Sequence, residues 1–319
     1  MDVLYSMIVL TLIFSTPIII TAIGGMFSER SGVVNIALEG MMMIGGFFAA
    51  TAIVFFEQSE GWVGSSAPWL ALLVGIVAGG VISVIHAYLS INLGSDQVIS
   101  GTAINLLAGG LTIYLSQIIF GQQRTQTFQL GFIKTTYPGL SKIPIIGRLL
   151  FTNIYPTVYL ALALVLISWF VLYQTPFGLR LRATGEHPHA VDSMGINVFK
   201  MRYIGVILSG CFAGLGGAVM VLTFDTQYTS GSIHGIGFIA LAALIFGQWK
   251  PSGLLGASLF FGFSQILGIY ATSFDFLSKI PAEYFNAFPY ILTVIALVVF
   301  SGKSVGPRAS GQPYDKGQR

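Results

Sequence analysis

Nine apolar runs follow one another through this 319-residue chain, separated by short polar stretches. A helix needs about 20 apolar residues to cross the roughly 30 Å hydrocarbon core of a bilayer, and most of the runs reach that length. They lack the apolar–polar alternation of a barrel strand, so each run predicts a helix. Charged residues make up 8% of the chain, whereas a soluble surface needs about 25%. The fold class that follows is all-α, a polytopic membrane helix bundle. The net charge of +3 comes from basic residues collected at helix ends. That pattern orients a chain in a bilayer and argues against nucleic acid as a partner.

The expected spans are residues 3–25, 31–56, 69–93, 98–120, 153–173, 203–224, 237–249, 254–272 and 288–301. The total is about nine, with eight to ten allowed. Asp2 is the only early charge, where a cleaved leader would open with Lys or Arg, so the first run is expected to stay as a helix. Nine spans put the termini on opposite sides. With the N-terminus out and the C-terminus in, ten basic residues fall inside: Arg30, Arg180, Arg182, Lys200, Arg202, Lys250, Lys303, Arg308, Lys316 and Arg319. Five fall outside: Arg124, Lys134, Lys142, Arg148 and Lys279. This is the cytoplasmic excess that sets orientation. The long outer loop, residues 122–152, is expected to lie on the membrane surface. Residues 302–319, polar and rich in Gly and Pro, predict a flexible cytoplasmic tail. Gly75-x-x-x-Gly79 and Gly210-x-x-x-Gly214-x-x-x-Ala218 are close-packing faces.

Residues 175–202 carry six charges, Arg180, Arg182, Glu186, Asp192, Lys200 and Arg202, together with His187 and His189. Between long apolar runs, such a stretch reads as a hydrated loop. Its middle predicts a short amphipathic helix. Pro188 suits the first helical position, where its missing N–H is no loss. Gly195 suits the residue just past the end, in a left-handed conformation. Between them Ala190, Val191 and Met194 share one face, with Asp192 and Ser193 turned away.

Polar groups inside the spans are the second signal. A carboxylate at the bilayer centre costs roughly 3 kcal/mol, so Glu39 must face a bundle interior, a watery cavity or a partner. Asn35 lies four residues earlier, on the same face of a helix. Ser100, Thr102 and Asn105 open the fourth span, and Gln265 sits inside the eighth. With Gly24, Gly25, Gly94 and Gly101 they suggest broken helices along a polar path. Equally, Asn35 and Glu39 can tie helices together or cap a break.

Catalytic patterns fail on context. Gly302-Lys303-Ser304 ends like a phosphate loop, but Leu297 stands where the first Gly belongs. The same residues read as a nucleophile elbow, yet no His follows His234. Gly235-Ile-Gly237 follows no strand. His187 and His189 lack partners at metal-ligand spacing, so no metal is expected.

The runs SERSGVVNIALEGMMMIGGF, ISGTAINLLAGGLT and PFGLRLRATGEHPHAVDSMGINVFKMRYIGVILSGCFAGLGGA resemble the permeases of ABC importers in the ribose and branched-chain amino acid group. The similarity is greatest to the smaller of two permeases in nucleoside importers, and it covers nearly the whole chain. It implies a permease domain over residues 1–301 with a cytoplasmic coupling loop at 175–202. Coupling to the ATPase would then fall to Gly185, Glu186, Pro188, Ala190, Val191, Asp192, Met194 and Gly195. It also implies a larger second permease, ATP-binding cassette subunits, an extracytoplasmic binding lipoprotein and a bacterial plasma membrane. The chain needs no cofactor of its own, since ATP is used by the partner subunit. Sugars and branched-chain amino acids stay open as solutes. A secondary transporter is the rival class, although only Glu39 qualifies as a deep coupling carboxylate.

Overall fold

The computed structural model describes residues 2–59, 66–144, 146–270, 291, 294 and 306–317. Among them the regular elements are helices: α1 (Asp2–Arg30), α2 (Leu38–Gln58), α3 (Ala67–Ala87) with a π turn at Tyr88–Asn92, α4 (Gln97–Phe120) and the short α5 (Ile146–Leu150). The chain continues through α6 (Pro156–Gln174), α7 (Pro176–Glu186), α8 (Pro188–Ser193), α9 (Val198–Phe224), α10 (Ile236–Phe246) and α11 (Pro251–Tyr270). Seven of the described helices are long and apolar enough to cross a membrane. The chain is a multi-pass membrane protein. The expected span at 237–249 is the shorter α10, about 16 Å long at 1.5 Å per residue. The expected span at 288–301 lies outside the described residues, apart from 291 and 294.

Helix α9 runs at the centre, packed against α1, α2 and α3. The glycine faces read from the sequence make that possible. A Cβ on Gly214 would fall on the Gly75 carbonyl oxygen, one on Gly79 on the Gly210 carbonyl oxygen, and one on Gly217 on the Met42 carbonyl oxygen. Backbone therefore meets backbone, in the close crossing that small residues permit inside lipid.

Three boundaries differ from expectation, each for a local reason. The second span starts at Leu38, because residues 31–37 are unwound. Gly32 takes φ +94° there, and Asn35 Oδ1 accepts the Ala37 N–H at 3.0 Å. This Asx turn offers the backbone an alternative to the helix. Asn35 consequently does not share a helix with Glu39. Residues 175–202 are mostly helical rather than a plain loop. Thr175 Oγ1 accepts the Gly178 N–H at 3.2 Å and Pro176 takes the first helical position, so α7 starts at once. Asn197 Oδ1 accepts the Lys200 N–H at 2.9 Å and starts α9 at Val198, five residues before the expected span.

One end of the bundle gathers the C-terminus of α1, helices α7 and α8, the α10–α11 turn and residues 306–317. Here Ala309 N–H donates to the Gly185 carbonyl at 2.8 Å and Gly311 N–H to the Gly32 carbonyl at 3.3 Å. The segment expected to be loose is thus bonded along residues 309–312, and Tyr314 is buried beyond them. At the other end the long loop crosses the helix termini, tied by Phe128 N–H to the Thr226 carbonyl at 2.8 Å. Glu57 Oε1 also accepts from Gln129 N–H there, at 2.5 Å.

Candidate functional site

Two helices start head to head inside the bundle. Helix α2 begins at Leu38 and α10 at Ile236, and a Cβ on Gly237 would lie 2.5 Å from Glu39 Cα. The N-cap residue of α10, Gly235, has φ +80° and no side chain with which to cap. Glu39 supplies the cap from the other helix. Its Oε1 accepts the Gly235 N–H at 2.8 Å and its Oε2 the Gly237 N–H at 2.7 Å. Both helix N-termini direct partial positive charge at this one carboxyl group. From there α10 runs about 16 Å to the turn beside Arg30, about half the ~30 Å thickness of a hydrocarbon core.

The unwound residues 31–37 are held by a collar of polar side chains. Val34 N–H donates to Gln97 Oε1 at 2.6 Å, and the Val34 carbonyl meets His86 Nε2 at 3.0 Å. His86 Nδ1 in turn meets Ser100 Oγ at 2.8 Å. Asn105 Oδ1 accepts the Gly40 N–H at 2.7 Å, while its Nδ2 donates to the Ile36 carbonyl at 2.9 Å. Asn35 Nδ2 donates to Ser209 Oγ on α9 at 2.8 Å. Unpaired backbone groups inside lipid cost several kcal/mol each, so a break at this depth exists only where side chains complete it.

Of the six polar residues singled out in the spans, Asn35, Glu39, Ser100 and Asn105 converge on these two breaks. Thr102 does not join them: it sits on the exposed face of α4 and donates to the Val98 carbonyl at 2.8 Å. Gln265 is half-buried on α11, which packs against α1, α6 and α10. Sequence reasoning missed His86, Gln97 and Ser209. His86 carried a usable signal, being an imidazole embedded in the apolar run of the third span.

A second constellation holds the turn between α10 and α11. Gln248 and Trp249 both take left-handed φ, +51° and +52°. Arg30 Nε and Nη2 donate to the Trp249 carbonyl at 3.1 and 2.9 Å. Trp249 Nε1 donates to Glu29 Oε2 at 2.5 Å. Consecutive non-glycine residues in this region persist only when neighbours hold them. Trp249→Phe keeps a ring but leaves buried Glu29 without its donor, which is expected to lower stability by about 1–3 kcal/mol. A thermal melt in detergent checks this, and an unchanged Tm would remove the clamp from the account.

Helix α8 starts at Pro188 and stops before Gly195, which has φ +77°. Ile196 N–H bonds to the Val191 carbonyl at 3.3 Å and Gly195 N–H to the Asp192 carbonyl at 2.9 Å, the bond pattern of a left-handed helix stop. The expected apolar face divides. Met194 is 80% exposed and Ala190 is exposed, whereas Val191 is 6% exposed and packs against Val198 and Tyr314. Asp192 is half-buried, and burial together with the neighbouring Asp192 pushes the Tyr314 hydroxyl up. Gly185 and Glu186 close α7, and a Cβ on Gly185 would lie 2.5 Å from the Arg30 carbonyl oxygen. The base of α8 therefore rests directly on the end of α1.

Comparison with known proteins bears on the whole chain. A family model described as "Branched-chain amino acid transport system / permease component" matches residues 7–297. The guanosine ABC transporter permease protein NupQ of Bacillus subtilis is 51% identical, over 97% of this chain and 96% of its own. The nucleoside ABC transporter permease protein NupC of Lactococcus lactis is 42% identical over 96% and 95%. The putative glucose ABC transporter permease protein TsgC13 of Haloferax volcanii is 37% identical over 81% and 75%.

Proposed function

Because the chain belongs to the branched-chain amino acid transport system / permease component family, we propose that it is the membrane-spanning permease subunit of an ABC importer that brings nucleosides into the cell. The observation that carries this reading is end-to-end likeness to two nucleoside permeases, with α8 presented at one end of the bundle. ATP is hydrolysed by a separate ATP-binding cassette subunit. A second, larger permease completes the path, and an extracytoplasmic binding lipoprotein delivers the solute.

In this reading the loop 225–235 and α10 together make one discontinuous crossing, which brings the total to eight among the described residues. The apolar run at 288–301, which lies outside them apart from 291 and 294, is the ninth expected from the sequence. The N-terminus lies outside and the C-terminus inside. Basic residues of α7, of the first turns of α9 and of residues 306–317 stand at the α8 end, as a cytoplasmic face requires. The path runs beside the breaks at Asn35, Glu39, Ser100 and Asn105, with Thr102 and Gln265 as outlying polar contacts. Nucleosides are neutral and rich in hydrogen-bonding groups, and amides and hydroxyls suit them. Glu39 is engaged by two backbone N–H groups, which disfavours it as the ion-coupling carboxylate of a secondary transporter.

The test is reconstitution in liposomes with and without the ATPase and companion subunits. Labelled guanosine is expected to accumulate only with all subunits and ATP, and unlabelled nucleosides, but not glucose or leucine, should compete. Accumulation by this chain alone would overturn the ABC reading, and competition by glucose would move the solute to a sugar.

A further inference from the structure

Helix α8 has six residues, Pro188–Ser193, bounded by a break at His187 and a left-handed stop at Gly195. Isolated helices shorter than about 12–15 residues are marginal in water, so α8 does not hold its own orientation. Residues 306–317 hold it instead. Tyr314 is 8% exposed and forms a buried cluster with Val191 of α8 and Val198 of α9. Its ring lies 5.1 Å from that of His189 and 5.5 Å from that of Phe199. The Arg202 guanidinium stands 5.9 Å above the same ring, and Arg202 Nη1 donates to the Gln312 carbonyl at 3.0 Å. Lys316 Nζ approaches Asp192 at 3.9 Å. Further back, Ala309 N–H bonds to the end of α7 at the Gly185 carbonyl, and Gly311 N–H to the Gly32 carbonyl beyond α1.

Taking α8 as the ATPase contact, we propose that residues 306–317 are a strap that fixes the coupling helix to spans α1 and α9, with Tyr314 as its positioning residue. The strap touches α8, the end of α7, the residues just after α1 and the start of α9. Helix α7 already packs against the end of α1 and against α9, and α8 meets α9 at Val191 and Val198; the strap adds a tie that bridges the breaks at His187 and Gly195. Joined, they move together, so a displacement of α8 reaches the spans instead of being absorbed at its hinges. The apolar half of α8, Val191, is turned toward the strap, which leaves Met194 and Ala190 as the half presented outward.

The test uses the complete transporter in proteoliposomes and measures ATPase retention, ATP hydrolysis and solute moved per ATP. Tyr314→Ala and, independently, Ala309→Pro are expected to retain the ATPase and hydrolyse ATP within about twofold of wild type. Solute moved per ATP should fall by at least about tenfold, the scale of a coupling free energy. Tyr314→Phe, which keeps the ring, should stay near wild type. Unchanged solute per ATP in both Tyr314→Ala and Ala309→Pro would overturn the strap. Met194→Asp separates the two levels. If it leaves uptake and ATPase binding intact, α8 is not the ATPase contact. If it abolishes uptake while Tyr314→Ala keeps full coupling, docking stands and the strap falls.

Discussion

Glu39→Ala is expected to abolish uptake while leaving the chain inserted and the ATPase bound. Insertion should improve, because a central carboxylate costs roughly 3 kcal/mol on insertion scales and alanine costs far less. The loss arises at α10. Without the carboxyl group, the N–H groups of Gly235 and Gly237 lose their acceptors at 2.8 and 2.7 Å in a place where water is scarce. A buried donor left without its acceptor costs about 1–3 kcal/mol. His234 and Gly235, both at positive φ, then lack the contact that holds them, and the first turn of α10 frays. A shift of 3 kcal/mol between intact and frayed forms changes their ratio by roughly a hundredfold. Glu39→Gln keeps one carbonyl acceptor and should fall between wild type and alanine, as should Glu39→Asp, whose shorter stem cannot serve both N–H groups. Uptake rates beside expression level and ATPase co-purification decide it. An alanine variant that transports at the wild-type rate would mean that α10 needs no cap.

The stop of α8 was legible because it is local chemistry. Pro188 and Gly195 each have one good place at a helix end, and φ +77° at Gly195 is where it falls. The glycine faces of the third and sixth expected spans were legible for the same reason, since spacing alone defines them. Glu39 could be read as costly but not placed, because its partners lie 196 and 198 residues along the chain. The break at 31–37 was written in Ser31-Gly32 and in Asn35, yet the apolar run continued through it and hydropathy masked the Asx turn. Helix α7 was hidden the other way. Its charges, Arg180, Arg182 and Glu186, read as loop, although Thr175-Pro176 is a helix start and Leu181 is fully buried. The Gly and Pro content of the tail reads as looseness, whereas Tyr314 is the residue in it that speaks for order. Aromatic area buried on α8 and α9 offsets the ordering of a polar segment.

Gly214→Val is expected to give no folded, monodisperse protein, the largest effect at any single position considered. The site is a three-way crossing of α2, α3 and α9. A Cβ at Gly214 would overlap the Gly75 carbonyl oxygen and lie 2.9 Å from Gly79 Cα. From the other side, a Cβ at Gly45 would overlap Gly214 itself. Every atom met is backbone, so no side chain can rotate away and the helices must separate. Overpacking in ordinary cores costs about 1–3 kcal/mol, because neighbours shift a few tenths of an ångström. Here the shift must be borne by two helices along their length, and the buried contacts on either side of the crossing are lost with it. Gly214→Ala already places the offending carbon and should lower the melting temperature in detergent markedly. The contrast is Gly110→Ala on α4, where a Cβ would meet nothing within 4 Å. That change should be neutral or stabilising by about 0.5–1 kcal/mol, since alanine is the better helix former. If the two alanine variants melt together, glycine at the crossing serves backbone freedom rather than close approach, and the centre of the bundle is looser than these contacts require.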